Sequence, residues 1–394
     1  MSESQQTAGT EDLEARPAAE PAPSTPPGHA DGADSVDPPA SPAWESATTQ
    51  PEPRGVRPAG AGPQVSFGFN LHKIHGQGED SDPVVRHGRQ LGLVAVFDGM
   101  GGAGGTVYET PDGPRTGAYL ASRVARDVVE QRMVALLDPE WNLDGGAAAQ
   151  DLQRSVRSAL QERLAELNAP ASGLRSRLLR ALPTTMALAA LQRQEPSGDR
   201  WTCHLLWAGD SRVYVFEPDA GARQLTVDDI RDHGDAMANL REDSVVSNAL
   251  SADTEFTIHH RQVELTAPFL VIAATDGCFG YLPSPMHFEH LVLAALRDAP
   301  DTDAWSTAVQ AAVSAVSGDD AAMATLGFGA DQDGFRTLFA RRTAELERRW
   351  ITPLDDLDTE LREQERKVAE VRAARRERQA QLWAAYKPDY EEYL

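Results

Sequence analysis

The chain has 394 residues, of which 41% are apolar, so it is long enough for one large domain or two ordinary ones. Its formal net charge of -23 argues against general nucleic-acid binding and against adsorption to an anionic membrane, because both need a basic face. Two cysteines cannot build a disulfide framework, and no apolar run approaches the roughly 18 residues of a membrane helix. The N-terminus also lacks the basic and apolar regions of a secretory signal, so we predict a cytoplasmic protein.

Residues 1–62 have the composition of a tail, with 11 prolines, 10 acidic residues and 3 basic residues. A segment without apolar periodicity cannot bury enough surface to offset its conformational entropy. We predict that residues 1–62 are disordered. A passive solubilising role is the simpler interpretation, and a docking or phosphorylated segment is the alternative.

Residues 63–335 form the predicted folded body, in which short apolar runs alternate with longer helical patterns. Strands are predicted at residues 91–97, in two halves of residues 202–216, at residues 269–274 and at residues 322–328. Helices are predicted at residues 117–137, 152–167, 286–297 and 304–316. Because strands and helices come in groups, the fold class is α+β, with antiparallel sheets flanked by helices.

Residues 336–394 differ from the body, because they contain 13 basic and 13 acidic residues. Pro353 lies where a first helical turn could begin, and Pro388 lies beyond the predicted end of one long charged helix. Gln364 and Arg375 interrupt a strict heptad, so packing of the apolar stripe on the body is favoured over a coiled coil. The stripe consists of Leu354, Leu357, Leu361, Val368 and Val371.

Acidic residues stand where the apolar strands of the body begin or end. Asp98 follows LVAVF, and Asp276 follows FLVIAAT. A single Asp-Gly pair is an ordinary turn signal, but several acids attached to buried strands indicate a common site. The remaining members are Glu79, Asp80, Asp319 and Asp320.

Carboxylates held a few ångströms apart in a partly buried site repel each other, so they stay ionised only if cations neutralise them. An oxygen-only set without His or Cys favours hard ions such as Mg²⁺ or Mn²⁺. Two such ions can share a bridging carboxylate and activate one water between them. The pattern therefore predicts a two-metal hydrolytic site.

Residues 64–329 resemble the type 2C metal-dependent protein serine/threonine phosphatases, of the bacterial kind. Seven motifs occur in the order of that family. They are ED at 79–80, VFDGMGG at 96–102, TT at 184–185, AGDSRVY at 208–214, QLTVDD at 224–229, TDG at 275–277 and GDDA at 318–321. VFDGMGG and AGDSR carry the resemblance, since TDG and GDDA alone are common sequences.

The resemblance implies a four-layer α-β-β-α sandwich with two divalent metals, Mg²⁺ or Mn²⁺, at one end. Asp98 would bridge both metals, and the Gly99 carbonyl would bind the second. Asp276 and Asp319 would bind the first metal, so Asp98, Asp276 and Asp319 are the catalytic candidates. Glu79 and Asp80 would hold metal-bound waters. Asp210 is either the ligand of a weaker third ion or a structural residue in a tight turn.

The phosphate-binding position departs from the family pattern. His75 occupies the place, five residues before Asp80, where members usually carry a phosphate-clamping arginine. Lys73 and Arg86 are nearby candidates for the same role. Loss of the arginine would weaken phosphate binding rather than abolish metal chemistry.

Three further departures concern Met100, Pro183 and Gly280. Met100 stands where animal members have a His that is thought to protonate the leaving group. Pro183 replaces a glycine before the TT pair. Gly280 replaces an acid found in many members, which weakens the prediction of a third metal. Residues 230–247 are the candidate for a mobile flap.

The resemblance implies a phosphoprotein substrate, a cognate serine/threonine kinase pathway and direct attack of a metal-bridging water, with no phosphoenzyme. A partner for the C-terminal helix is a further expectation. Two alternatives remain open: a catalytically weak member that acts as a phosphoprotein-binding or regulatory scaffold, and a hydrolase of another phosphomonoester.

Overall fold

A computed structural model describes residues 62–137, 143–167, 180–231 and 245–392, and the backbone of residues 45–46. The rest of the predicted N-terminal tail lies outside the described residues. Six strands form a first antiparallel sheet in the order β1-β3-β4-β7-β8-β11. They are β1 (Glu45–Ser46), β3 (Val84–His87), β4 (Leu91–Val96), β7 (Met186–Arg193), β8 (Arg200–Ala208) and β11 (His259–Thr266).

A second antiparallel sheet has the order β10-β9-β12-β13-β2. Its strands are β2 (Val65–Leu71), β9 (Arg212–Glu217), β10 (Gly221–Gln224), β12 (Phe269–Ala274) and β13 (Ala321–Phe328). A separate two-stranded ribbon, β5 (Val107–Thr110) and β6 (Gly113–Thr116), precedes the first long helix. The apolar-run prediction did not include this ribbon, because only Tyr108 among its eight residues is buried.

Four of the helices are capped at their N-termini by a polar side chain. Thr116, Asp144, Asp301 and Asp331 each accept a hydrogen bond from a backbone N–H of the first turn, which satisfies a donor the helix itself cannot. The helices are α1 (Gly101–Gly104), α2 (Gly117–Leu136), α3 (Gly145–Glu166), α4 (Pro285–Asp298), α5 (Thr302–Val316), α6 (Gln332–Leu346) and α7 (Thr352–Tyr390).

Three apolar cores separate four layers. The first lies between the outer face of the first sheet and helices α2 and α3, and it includes Leu93 and Val129. The second lies between the two sheets and includes Val94 and Val271. The third joins the second sheet to α4, α5 and α6. This arrangement confirms the predicted α-β-β-α sandwich of two antiparallel sheets.

The strands that lead to the acidic residues are buried on both faces. Every residue of β4, β12 and β13 is buried, as their unbroken apolar sequences predict for strands between two packed layers. In the register of β12 and β13, Ala274 lies opposite Met323. The end of β12 therefore lies beside the start of β13, which brings Asp276 close to Asp319 and Asp320.

The C-terminal region differs from the prediction in three ways. Helix α6 spans residue 335, where the predicted body ends, so the chain continues packing on α4 through Leu346. A short π-helical turn, Glu347–Ile351, then precedes α7. Helix α7 also runs through Pro388 to Tyr390, because a proline in the last turn removes only one helical hydrogen bond.

The predicted packing of the α7 stripe on the body is wrong. Every residue from 352 to 390 is exposed, including all five apolar residues of the stripe. The last buried residue before the helix is Ile351. Among the described residues, no helix combines the length and the apolar content needed to span a bilayer.

Candidate active site

Three carboxyl groups meet at one end of the sandwich. Asp98 lies two residues beyond β4, and the side chains of Asp80 and Asp276 are both within hydrogen-bonding reach of it. Asp80 is only 2% exposed, while Asp98 and Asp276 are half-buried. The structure thus brings together residues that are up to 196 positions apart in the sequence.

Burial raises the pKa of each of these three carboxyl groups, and repulsion between them adds to the effect. The pKa of Asp98 is well above its ordinary value because of burial first, and then because of the charges of Asp80, Asp276 and Asp210. The pKa of Asp80 is also well above its ordinary value because of burial, although the hydrogen bond from the Thr275 hydroxyl lowers it in part. The ionised form of this cluster is therefore disfavoured unless positive charge neutralises it.

The backbone at Asp98 is fixed by the predicted TT pair. The Asp98 carbonyl accepts hydrogen bonds from the Thr185 N–H at 2.8 Å and from Thr184 Oγ1 at 2.6 Å. Gly99 next to it forms an isolated bridge with Thr184. A side chain on Gly99 would place its Cβ 2.6 Å from the Glu79 carbonyl oxygen and 2.7 Å from that of Ala118, so only glycine fits.

Thr275 connects Asp80 to the second sheet. Its hydroxyl donates to Asp80 Oδ2 at 2.8 Å and accepts from the Ala322 N–H at 2.9 Å. The Thr275 N–H donates in turn to the Ala322 carbonyl. Because Thr275 follows β12 and Ala322 lies at the start of β13, Asp80 is attached to two strands that are buried on both faces.

The two aspartates of the GDDA motif have different surroundings. Asp320 accepts from the Lys73 N–H at 2.8 Å and the Glu79 N–H at 2.6 Å, and so it closes the loop that carries the ED pair. Asp319 is exposed, its carboxylate accepts the neighbouring Asp320 N–H, and its charge raises the pKa of Asp276. The charge of Asp320 raises the pKa of Asp80, so both aspartates act on the cluster.

Glu79 lies between the loop and helix α2. Its Oε1 accepts from Thr116 Oγ1 at 2.6 Å, and its carbonyl oxygen accepts from Ser122 Oγ at 2.5 Å. Burial, followed by the charges of Asp320 and Asp319, raises the pKa of the Glu79 carboxyl group.

Arg123 organises the ED pair, and the sequence analysis missed it. From helix α2 its guanidinium donates to the carbonyl oxygens of Gly78, Glu79 and Asp80 at 3.1–3.2 Å. It also stacks on the Tyr119 ring, with 3.5 Å between Cζ and the ring centroid. An arginine on the buried side of an amphipathic helix, facing an acidic loop, is the only signal that the sequence offers for it.

Asp210 sits at a turn between the strands of the two sheets. Gly209 before it has φ +103, which favours glycine, and its N–H donates to Asp229 Oδ2 at 3.0 Å. Burial and the charges of Asp276 and Asp228 raise the pKa of Asp210 to about 7. Asp210 therefore belongs to the same electrostatic cluster, while its turn also has the structural role that the sequence left open.

A buried ion pair, also missed in the sequence, supports this side of the cluster. Arg212 and Asp228 come from AGDSRVY and QLTVDD, are 4% and 5% exposed, and approach to 2.7 Å. Arg212 also donates to the Tyr214 hydroxyl and stacks on Phe279. Its positive charge lowers the pKa of Asp276 and of Asp210, against the larger effect of burial.

The three predicted phosphate-binding residues are not brought together. Lys73 and His75 are exposed on the loop before the ED pair, whereas Arg86 on β3 pairs with Glu130 of α2. Arg115 on β6 is a cation that the prediction did not include, and it donates to the Gly76 carbonyl at 3.0 Å. Met100 is half-buried and its N–H donates to the Pro183 carbonyl at 3.3 Å.

The metal ligation and the mobile flap both remain predictions. Within the described part of the chain, no group of three or more His, Cys, Asp or Glu side chains has the spacing of a metal site. In the predicted flap, residues 232–244 lie outside the described residues.

Comparison with known proteins identifies the class. The Protein phosphatase 2C family model matches residues 77–327, which is more than half of the chain. No curated protein matches the sequence. The chain belongs to the protein phosphatase 2C family.

Solved structures with a similar fold come from bacteria and animals. The serine/threonine phosphatase PstP/Ppp of Mycobacterium tuberculosis is 20% identical, with a TM-score of 0.46 over 67% of this chain and 98% of that one. Stp1 of Staphylococcus aureus is 14% identical, with a TM-score of 0.47 over 70% and 100%. A C. elegans sex determining protein is 15% identical, with a TM-score of 0.48 over 70% and 67%. Membership rests on the family match, because these similarities are distant.

Proposed function

We propose that the chain hydrolyses phosphoserine and phosphothreonine in proteins by direct attack of water on phosphorus, at the end of the sandwich where Asp80, Asp98 and Asp276 meet. One observation carries this proposal. Carboxyl groups from two strand ends and the ED loop are held within hydrogen-bonding reach of each other although burial and mutual repulsion raise their pKa values. Such an arrangement is costly for stability and is typical of functional sites.

The residues fit two divalent cations by the chemistry of their donors. The set contains only oxygen atoms, which suits Mg²⁺ or Mn²⁺. The nearby Cys278 is no alternative nucleophile, because burial raises the pKa of its thiol and Sγ donates to the Ala322 carbonyl. When bound, the two ions would supply positive charge that polarises the attacking water and the phosphoryl oxygens.

We assign the ligands as the family pattern orders them. Asp98 would be shared by both ions, and the Gly99 carbonyl oxygen would bind the second. Asp276 and Asp319 would bind the first, with Glu79 and Asp80 acting through water. Asp210 would hold a weaker third ion, which must displace a proton because the pKa of Asp210 is about 7.

The chain's own residues keep this end of the site in place before substrate arrives. Thr184 and Thr185 fix the backbone of Asp98, and Thr275 fixes the carboxyl group of Asp80. Arg123 holds the carbonyl groups of the ED pair. Groups fixed in this way need no rearrangement when charge develops during the reaction.

We place the substrate phosphate beside the loop that carries Lys73 and His75. Both side chains are exposed, and the Arg115 guanidinium touches the same loop at Gly76. Arg86 would first have to leave Glu130, so it is the weakest of the predicted phosphate ligands. The substrate would be a phosphoprotein made by a cytoplasmic serine/threonine kinase.

The test is turnover of p-nitrophenyl phosphate and of phosphoserine, phosphothreonine and phosphotyrosine peptides, in Mn²⁺, in Mg²⁺ and in EDTA. We expect turnover in either metal, loss in EDTA and preference for the phosphoserine and phosphothreonine peptides. Thermal unfolding measured in parallel reports whether metal binds. Metal binding without any turnover would instead support the phosphoprotein-binding scaffold, and turnover of p-nitrophenyl phosphate alone would support a different phosphomonoester.

A further inference from the structure

Helix α7 presents an apolar stripe that no other part of the described chain covers. Six aliphatic residues lie on one helical face with exposures from 39% to 69%, and the steps between them are interrupted at Gln364 and between residues 371 and 382; they are Leu354, Leu357, Leu361, Val368, Val371 and Leu382. Among the described residues, its side-chain hydrogen bonds and ion pairs join positions three or four apart within the helix. A face of this length, exposed throughout, indicates a partner surface.

The charge of the helix changes sign along its length. Residues 352–370 contain seven acidic and three basic residues, whereas residues 371–390 contain two acidic and five basic residues. Two copies side by side in parallel would place acidic half against acidic half. Two antiparallel copies would place each acidic half against a basic half, which lowers the electrostatic energy.

The interruptions of the heptad agree with the antiparallel arrangement. If Val368 lies opposite Val371 of the second copy, the same register places Gln364 opposite Arg375, so these two polar residues share one layer. Arg378, a third polar residue of the heptad, then lies opposite Leu361, over which its aliphatic stem can extend. Leu357 then faces Leu382 of the second copy. A parallel pair would instead bury Arg375 against its own copy, and like charges in one layer destabilise a coiled coil.

The flanking positions follow the same register. Glu365 of one helix comes beside Arg372 of the other, and the symmetry of the pair repeats this contact. At the end of the helix Trp383, Tyr386 and Tyr390 form an exposed cluster with ring centroids 5.7–6.4 Å apart. In the antiparallel register this cluster lies level with the start of the second helix, near the exposed Trp350.

We propose that α7 pairs antiparallel with α7 of a second copy of this chain. The occupant of the stripe is therefore the same face of an identical helix, selected by charge complementarity. A helix of 39 residues is about 58 Å long, so the pair would hold two phosphatase bodies at opposite ends.

The first experiment is a charge exchange in the full chain, followed by analytical ultracentrifugation. Arg372→Glu places Glu365 against a glutamate, and Glu365→Arg places two arginines together, so each variant should dimerise about tenfold more weakly. The two variants mixed should form heterodimers as tightly as the wild type, because each contact again has one acid and one base. A variant that carries both Arg372→Glu and Glu365→Arg should also dimerise as tightly as the wild type.

The second experiment determines the orientation. Both native cysteines are buried, so a cysteine on α7 would be the accessible thiol among the described residues. With oxidised glutathione added as the oxidant, Leu357→Cys mixed with Leu382→Cys should form a disulfide-linked dimer, while Leu357→Cys alone should not, since its copies lie about 37 Å apart. Three results would each overturn the proposal. The wild type could remain monomeric, the mixed charge variants could dimerise no more tightly than each variant alone, or Leu357→Cys could form a disulfide with its own copy.

Discussion

The acidic end of the sandwich and helix α7 both carry many charges, but in opposite settings. At the acidic end, strand termini hold like charges together in a partly buried space, and the pKa values of Asp80, Asp98 and Asp276 rise. On α7, opposite charges four positions apart lie in water, as in the pair of Lys367 and Glu363 at 2.9 Å. The first arrangement costs stability, and the second contributes little to it.

The difference follows from solvent. Water screens exposed charges so that an ion pair on a helix surface contributes about 0.3–0.5 kcal/mol, whereas removal of one partner from a buried pair costs about 3–5 kcal/mol. Charge substitutions should therefore have graded effects, large beside Asp98 and small on α7. The predictions below test that gradient in order of expected size.

The largest effect is expected for Asp98→Asn. The variant keeps the shape of the side chain but removes the charge that we propose both metals share, so turnover should fall about 10³-fold, or about 4 kcal/mol of barrier. Without metal the same variant should melt a few degrees higher, because a repelling carboxylate is gone. Asp112→Asn, at an exposed residue of the β5–β6 turn, is the control and should change neither quantity.

A loss of activity in Asp98→Asn together with a lower melting temperature would count against the proposed repulsion. Unchanged activity would contradict the role of Asp98 altogether. Turnover and thermal unfolding must therefore be measured on the same preparation.

The next largest effect concerns Arg212. Arg212→Gln leaves Asp228 buried without its cation, so the free energy of unfolding should fall by about 3–5 kcal/mol. Arg223→Gln is the matched control, because Arg223 pairs with Glu217 at a site where its own side chain is 54% exposed. Arg223→Gln should lower the free energy of unfolding, measured in urea, by less than about 1 kcal/mol. Equal costs for the two variants would show that burial does not set the energy of these pairs.

A smaller effect is expected for Arg123, one turn before Arg126 on the same helix. Arg123→Gln removes hydrogen bonds to three carbonyl groups of the ED loop and should destabilise the protein by about 1–3 kcal/mol. It should also weaken Mn²⁺ binding measured by calorimetry, since the loop carries Glu79 and Asp80. Arg126→Gln breaks more exposed contacts with Asp127 and Glu130, and it should leave Mn²⁺ affinity unchanged.

The pH dependence of stability tests the cluster as a whole. Above about pH 4 the unfolded chain releases carboxyl protons that the folded protein retains, because the pKa values of Asp80, Asp98, Asp210 and Asp276 are raised on folding. The folded state then binds more protons, so its stability decreases as pH rises, for Asp210 until pH passes about 7.

In EDTA the melting temperature should therefore fall by several degrees between about pH 5 and 8. With Mn²⁺ the fall should become smaller or reverse, because cations displace the protons and bind more tightly as pH rises. Differential scanning fluorimetry gives both curves. A melting temperature in EDTA that rises across this range would contradict the raised pKa values.

The buried strands and the acidic residues that follow them were predicted for the same physical reason, whereas the four-layer arrangement was implied by the family resemblance. Strands buried on both faces are unbroken apolar runs, and the residue that follows such a run is fixed at a sheet end, as Asp98 and Asp276 are. Arg123 could not be found in this way, because its hydrogen bonds go to backbone carbonyls that only the folded loop presents. The buried pair of Arg212 and Asp228 likewise joins two motifs that were interpreted separately.

The apolar stripe of α7 shows what apolar periodicity in a sequence cannot predict. Apolar periodicity predicted the helix and its apolar face correctly, but periodicity alone does not say what covers that face, and packing on the body was the wrong inference. The charge asymmetry between the two halves of the helix carries the missing information. That asymmetry is a property of the whole segment, which a search for heptads does not record.

The smallest effect is expected for Arg366→Ala, on the side of α7 away from the stripe. Arg366 and Glu370 are 3.6 Å apart and are 67% and 64% exposed, so their pair contributes less than about 0.5 kcal/mol. Alanine also has a high helix propensity, which offsets part of the lost pair. The melting temperature should change by less than about 2 °C, and sedimentation should be unaffected. A larger loss of stability would mean that Arg366 is desolvated in the native assembly. The partner of α7 would then cover the face that carries Arg366, and the contrast between a buried acidic end and a solvated helix would not hold there.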